Sequence, residues 1–224
     1  MYKYILGVLF ILCLFIVISH NLQRKKINTE LKIQQVEHPD DEVIDIMLKN
    51  KQPTIFLYEL ELWDGIDLLI GQEYETVKEV LSDKEAFAQL NHYLQPFNLP
   101  FSKNKWDINL IKNSDSWENL SVKPIKENSY NHLVANFSGL MMVCLFNPSK
   151  ENLKIINDNQ NIKQLLESNS NSSSAIDYIV IPIRPSNMLY IPFGWYYWIY
   201  SGSNKSDARN NYCCYLDCYN KLIF

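Results

Sequence analysis

The stretch Tyr4-Ile-Leu-Gly-Val-Leu-Phe-Ile-Leu-Cys-Leu-Phe-Ile-Val-Ile-Ser19 carries no charge. At 1.5 Å per residue it covers roughly 24 Å as a helix, and Tyr2 and His20 extend it toward the ~30 Å thickness of a hydrocarbon layer. No polar face recurs at helical spacing, so a buried helix of a soluble protein is a poor match. A cleaved signal peptide fits less well than a spanning helix. Lys3 supplies the charge before the apolar run, but the tolerable cleavage site Val17-Ile-Ser19 lacks a small residue three positions back. The expectation is an anchor over residues 1–21, with Tyr2 and Tyr4 at the headgroup boundary. Arg24-Lys25-Lys26 follows the segment and only Lys3 precedes it, so the bulk of the chain is expected on the cytosolic side.

A polar stretch without periodicity, residues 22–39, reads as a spacer. The rest, 40–224, is of single-domain size in a chain of 224 residues. The net charge of -4 comes from interspersed acids and bases, which implies neither a nucleic-acid stripe nor an acidic substrate, and no nucleic acid is expected as a partner. Aromatic residues make up 13% of the chain, enough for a well-filled β-rich core. Cys213 and Cys214 are adjacent in a strand-like run and would point to opposite faces, so a shared metal is disfavoured and buried small hydrophobes are expected. Asn119, Asn136, Asn171 and Asn204 each begin an N-x-[S/T] pattern, which matters only if the domain faces a lumen.

Asp40-Asp41 ahead of Val43, Ile44, Ile46, Met47 and Leu48 predicts a short helix, and Pro53 to Tyr58 a strand. Ser82 and Glu85 form a capping-box pattern before Phe87, Leu90 and Leu94, predicting a second helix that Pro96 and Pro100 stop. Short strands are expected at 108–111 and 120–122. His132–Phe137 and Met141–Phe146 read as strands joined by a Ser138-Gly-Leu140 turn, and a helix is expected from Lys150 to Leu166. Further strands are expected at 177–183, 188–191, 195–201 and 211–219, with a Ser/Asn-rich connector at 168–174. Many strands with a few mostly early helices predict an α+β, mainly β domain built on a sandwich or barrel.

Two segments in this order resemble the JmjC and cupin-like hydroxylase family. His132-Leu-Val-Ala-Asn-Phe-Ser-Gly-Leu-Met-Met-Val-Cys-Leu-Phe-Asn-Pro148 is similar to that family's strand, glycine turn and strand ending in Leu-Phe-x-Pro. Pro185-Ser-Asn-Met-Leu-Tyr-Ile-Pro-Phe-Gly-Trp195 is similar to its Pro-Gly-Asp-x-Leu-x-Ile-Pro-x-x-Trp phrase. Lys51-Gln-Pro-Thr-Ile-Phe56 looks like its opening strand. The resemblance implies a double-stranded β-helix, or jelly roll, with flanking helices. In working members it also implies iron held by His-x-Asp/Glu and a second His, with 2-oxoglutarate beside it.

The chain departs from that pattern at each such position. The resemblance puts the first ligand pair at Lys126 and Asn128, the second histidine at Tyr197 and the cosubstrate lysine at Met141. An amine, an amide, a phenol and a thioether do not make the two-histidine, one-carboxylate face this iron needs. His132, Tyr190 and Trp195 are the expected pocket-lining residues. His38, His92, Asp64, Asp67 and Asp107 show no convergent spacing, and no nucleophile elbow, P-loop or dinucleotide-binding glycine pattern occurs. The expected protein is therefore a membrane-anchored, catalytically inactive JmjC-like domain with no cofactor, which binds an unidentified protein or small molecule or serves a structural role. One alternative is a membrane-tethered oxygenase using iron and 2-oxoglutarate through relocated ligands. The other is an unrelated membrane-anchored β-sandwich adaptor.

Overall fold

The apolar N-terminal run forms one helix, α1 (Tyr2–Arg24). Its most apolar window, Tyr2–Ser19, has a mean hydropathy of 2.3 and none of it is covered by the rest of the chain. By length and composition α1 can cross a bilayer. This is a computed structural model, and it describes residues 2–24, 26–63, 65–81, 104–112, 123–124, 129–158, 176–201 and 212–220.

Helix α2 (Asp41–Asn50) starts where Asp40 Oδ1 accepts a hydrogen bond from the Val43 amide at 2.8 Å, and Asp41 and Glu42 complement the positive end of the helix dipole. It ends at Lys51 in a left-handed conformation, and Ile44 and Leu48, four residues apart, face the core. Helix α3 (Tyr74–Leu81) was not apparent from the sequence, since its eight residues bury only Val77 and Leu81. Helix α4 (Lys150–Asp158) starts as expected. The continuation to Leu166, the helix over 82–94 and the short strand at 120–122 lie outside the described residues.

Ten strands are present among the described residues: β1 (Gln34–Glu37), β2 (Thr54–Leu57), β3 (Asn104–Lys112), β4 (Lys123–Pro124), β5 (Ser129–Ser138), β6 (Met141–Phe146), β7 (Tyr178–Ile183), β8 (Met188–Pro192), β9 (Tyr196–Ser201) and β10 (Tyr212–Asn220). They form a six-stranded sheet, β1-β2-β8-β5-β10-β3, and a four-stranded sheet, β4-β9-β6-β7. The protein is thus an α+β molecule, dominated by strands, with an apolar helix at its N-terminus.

Strand alternation sorts the side chains into three apolar layers. Leu133, Ala135, Phe137, Met188, Tyr190, Tyr212, Cys214 and Leu216 pack on the outer face of the six-stranded sheet with Ile44 and Leu48 of α2 and Val77 and Leu81 of α3. Val134, Met141, Val143, Leu145, Leu189, Ile191, Tyr197, Ile199, Cys213 and Tyr215 fill the space between the sheets. Cys144, Phe146 and Trp198 cover the other face of the four-stranded sheet with Ile156 of α4. Cys213 and Cys214 do face opposite sides, and both are buried.

Two turns are pinned by asparagines. Asn136 Nδ2 donates to the Gly139 and Ile183 carbonyls, both at 2.8 Å, tying the β5–β6 turn to the end of β7. That side chain is fully buried, so Asn136 is not a glycan acceptor in the folded protein. In the Pro185-Ser-Asn187 turn, Asn187 Oδ1 accepts from the Tyr58 amide at 3.0 Å and the Ser186 carbonyl from the Leu60 amide at 3.1 Å.

The stretch read as a polar spacer is instead largely built into the domain. Strand β1 adds to β2 in parallel at the edge of the six-stranded sheet. Upstream of it, Asn28 Nδ2 donates to the Asn50 carbonyl at 3.0 Å, Trp195 Nε1 donates to the Asn28 carbonyl at 3.1 Å, and Asn147 Nδ2 donates to the Thr29 carbonyl. Gln52 Nε2 donates to Glu30 Oε2 at 2.7 Å. A short polar segment can pair its backbone and amide groups without any hydrophobic period, so periodicity does not reveal it.

Gly194 has φ +91°, and a Cβ there would lie 3.0 Å from Ile27 Cδ1 and Cγ1. Gly194→Ala is expected to destabilise the protein by about 1–2 kcal/mol from backbone strain alone, and Ile27→Ala should relieve the added clash, making the pair less than additive in thermal melts of the detergent-solubilised protein.

Candidate functional site

An acid in the middle of an apolar strand needs a partner, because burying an unpaired carboxylate costs several kcal/mol. Asp217 is such a residue. On β10 it shares the inward parity of Cys213 and Tyr215, and it is 4% exposed. In the β5–β10 ladder its register partner is His132, itself 2% exposed. The His132 Nδ1 to Asp217 Oδ1 distance is 2.6 Å, the length of a charge-assisted bond in which Nδ1–H donates to the carboxylate. This bond fixes the ring's tautomer and orientation.

The opposite sheet closes the cluster. Tyr197 of β9 brings its ring centroid to 4.8 Å from that of His132, and Tyr215 of β10 lies at 5.6 Å. The two tyrosine rings meet edge to face at 5.9 Å. Burial, and then the nearby Asp217 carboxylate and Cys213, push the Tyr197 phenol well above the usual tyrosine range, so it stays protonated. His132 Nε2 is buried and has no hydrogen-bond partner among the described residues. An imidazole whose Nδ1 is held by a carboxylate and whose Nε2 is unclaimed can accept a proton or hydrogen bond, or donate its lone pair to a metal.

Among the residues singled out from the sequence, the structure brings His132 and Tyr197 together. Met141 faces the same inter-sheet layer, fully buried among apolar side chains. Trp195 borders that layer, but its indole N–H is committed to the Asn28 carbonyl. Tyr190 lies on the other face of the six-stranded sheet, against the helices, so it does not join His132. Lys126 and Asn128 lie outside the described residues, as do His92 and Asp64. His38 and Asp67 are exposed and lie on other elements, whereas Asp107, exposed on β3, is the register partner of Asp217 in the β3–β10 ladder. Sequence reasoning missed Asp217 and Tyr215. The signal was available in Tyr212-Cys-Cys-Tyr-Leu-Asp217, where the acid falls on the same strand parity as Cys213 and Tyr215.

The described residues around His132 do not fit iron with 2-oxoglutarate. Tyr197 supplies a phenol and not a neutral imidazole, and Met141 offers no charge to a carboxylate. Among the described residues no group of three or more His, Cys, Asp or Glu side chains is placed to hold a metal ion. No protein-family model and no curated protein sequence matches the chain.

If the pair is a structural strut, removing His132 strands a buried carboxylate. His132→Leu should cost about 3–5 kcal/mol, a fall in Tm of roughly 10 °C. His132→Leu combined with Asp217→Leu should cost clearly less than the sum of the single changes in the same melts.

Proposed function

We propose that this chain is a membrane-anchored, JmjC/cupin-like jelly roll that acts as a binding or structural module and not as an iron-dependent oxygenase. The fold part of this reading rests on strand order. Counting β3 to β10 as one to eight, the pairs are β3·β10, β4·β9, β5·β8 and β6·β7, all antiparallel. Each strand pairs with the one an equal distance from the other end of the run, as in a single long hairpin wound into two sheets, which is the plan of a jelly roll. This order favours the jelly roll over an unrelated sandwich. Strands β1 and β2 extend one edge of it.

The observation that carries the functional part is the occupancy of the inter-sheet layer by Tyr197 and Met141. They stand where the resemblance calls for the second iron-binding histidine and the cosubstrate lysine, and both are packed among Leu145, Val143 and Ile199. The membrane assignment rests on α1, with the domain on the cytosolic side by the Arg24-Lys25-Lys26 cluster.

A second reading is favoured by one feature. The carboxylate-braced His132 with its unclaimed Nε2 has the form of a metal-ligating histidine, so relocated ligands would start there. The test is iron content and thermal stability of the full chain, purified in detergent without oxygen and incubated with Fe(II) and 2-oxoglutarate. The expected result is iron far below one per chain and an unchanged Tm. One iron per chain, with the several-degree rise that about 2.7 kcal/mol of ligand stabilisation at 100-fold saturation would give, would replace the proposal with the oxygenase reading.

A further inference from the structure

The helix that reads as the membrane span and the first residue fixed to the domain are separated by very little chain. Helix α1 ends at Arg24, and Ile27 already packs on Gly194. Three Cα steps of 3.8 Å allow at most about 11 Å between them. The next residues are fastened in turn: Asn28 to Asn50 and Trp195, Thr29 to Asn147, and Glu30 to Gln52.

All of these partners lie at one end of the sandwich. In the β5–β8 ladder Asn131 is opposite Pro192 and Ala135 opposite Met188, so the β8–β9 turn and the start of β5 share an end. Phe146 is opposite Tyr196, which brings Asn147 to that end. Thr54 is opposite Tyr190 and Phe56 opposite Met188, which brings residues 50–53 there too. The β5–β6 turn at Gly139 and Leu140 is at the far end, some seven residues along β5, or about 23 Å away at 3.3 Å per residue.

We propose that the end of the domain carrying the Asn50–Gln52 segment, Asn147 and the Pro192–Trp195 turn rests against the lipid headgroup layer, an inference that depends on α1 being a membrane span. The surface it fits is a bilayer carrying anionic lipid, since Arg24-Lys25-Lys26 follows the span in sequence and basic side chains near the surface are attracted to anionic headgroups. His132, opposite Ile191, lies one residue inside this rim. The end of the sandwich nearest the His132–Asp217 pair therefore faces the membrane.

The experiment places a fluorescent amino acid at Asn50 or at Leu140, both exposed, in the full chain reconstituted into phosphatidylcholine vesicles with 20–30% (roughly) phosphatidylserine and a headgroup spin-labelled lipid as quencher. Flotation after alkaline carbonate washing reads the anchor separately. With the anchor intact, the Asn50 label should be quenched several-fold more than the Leu140 label. Inserting about ten Gly/Ser residues between Lys25 and Lys26 should abolish the difference while flotation persists. Equal quenching at the two positions in floating protein, or a difference that survives the insertion, would overturn the inference. Failure to float would overturn the anchor on which it rests.

Discussion

Central strands buried on both faces, β5, β6, β8 and β10 among them, set the terms for everything else in this protein. A strand offers two faces, and here one meets the opposite sheet while the other meets a helix, α2 and α3 on one side and α4 on the other. Strands in such a position cannot carry the polar-out, apolar-in alternation of a solvated sheet, and they read as nearly continuous apolar runs. Any polar side chain inside must find its partner inside. His132 and Asp217 do so across one ladder rung, and Tyr197 closes over them from the other sheet.

This constraint explains what could be read from the sequence. Met141–Phe146 and Met188–Pro192 are dense apolar runs bounded by Gly139 and by the Pro185-Ser-Asn187 turn, and they emerge as strands within a residue of expectation. The cap of α2 was equally legible, because Asp40 does its work within three residues. Elements held by distant partners were not. Strand β1 and the residues before it are polar and aperiodic, and β2, Pro53, Asn50, Gln52, Trp195 and Asn147 give them a place. Tyr190 illustrates the same limit at the site. Its neighbours in sequence suggested a pocket, but a single step of strand parity turns it toward the helices.

The candidate site follows the same logic. His132 could be singled out from sequence, whereas its meaning depended on Asp217, 85 residues away and joined to it only by the β5–β10 register. With that partner supplied, the histidine is braced as a ligand or base would be, and among the described residues no group of three or more His, Cys, Asp or Glu side chains is placed to hold a metal ion. A carboxylate-braced imidazole in an apolar interior gives the scaffold a stiff polar link between strands. Docking of residues 27–30 then fixes which end of this scaffold lies toward α1.

Whether the His132–Asp217 pair closes the inter-sheet layer in place of an iron centre can be read by nitrogen-15 NMR of the histidine rings in the detergent-solubilised full chain, before and after Fe(II) is added without oxygen. The expected spectrum has a protected Nδ1–H on His132, hydrogen-bonded to Asp217, and an Nε2 resonance that stays in place when iron is added. Loss or a large paramagnetic shift of the His132 Nε2 signal at one equivalent of Fe(II) would contradict it.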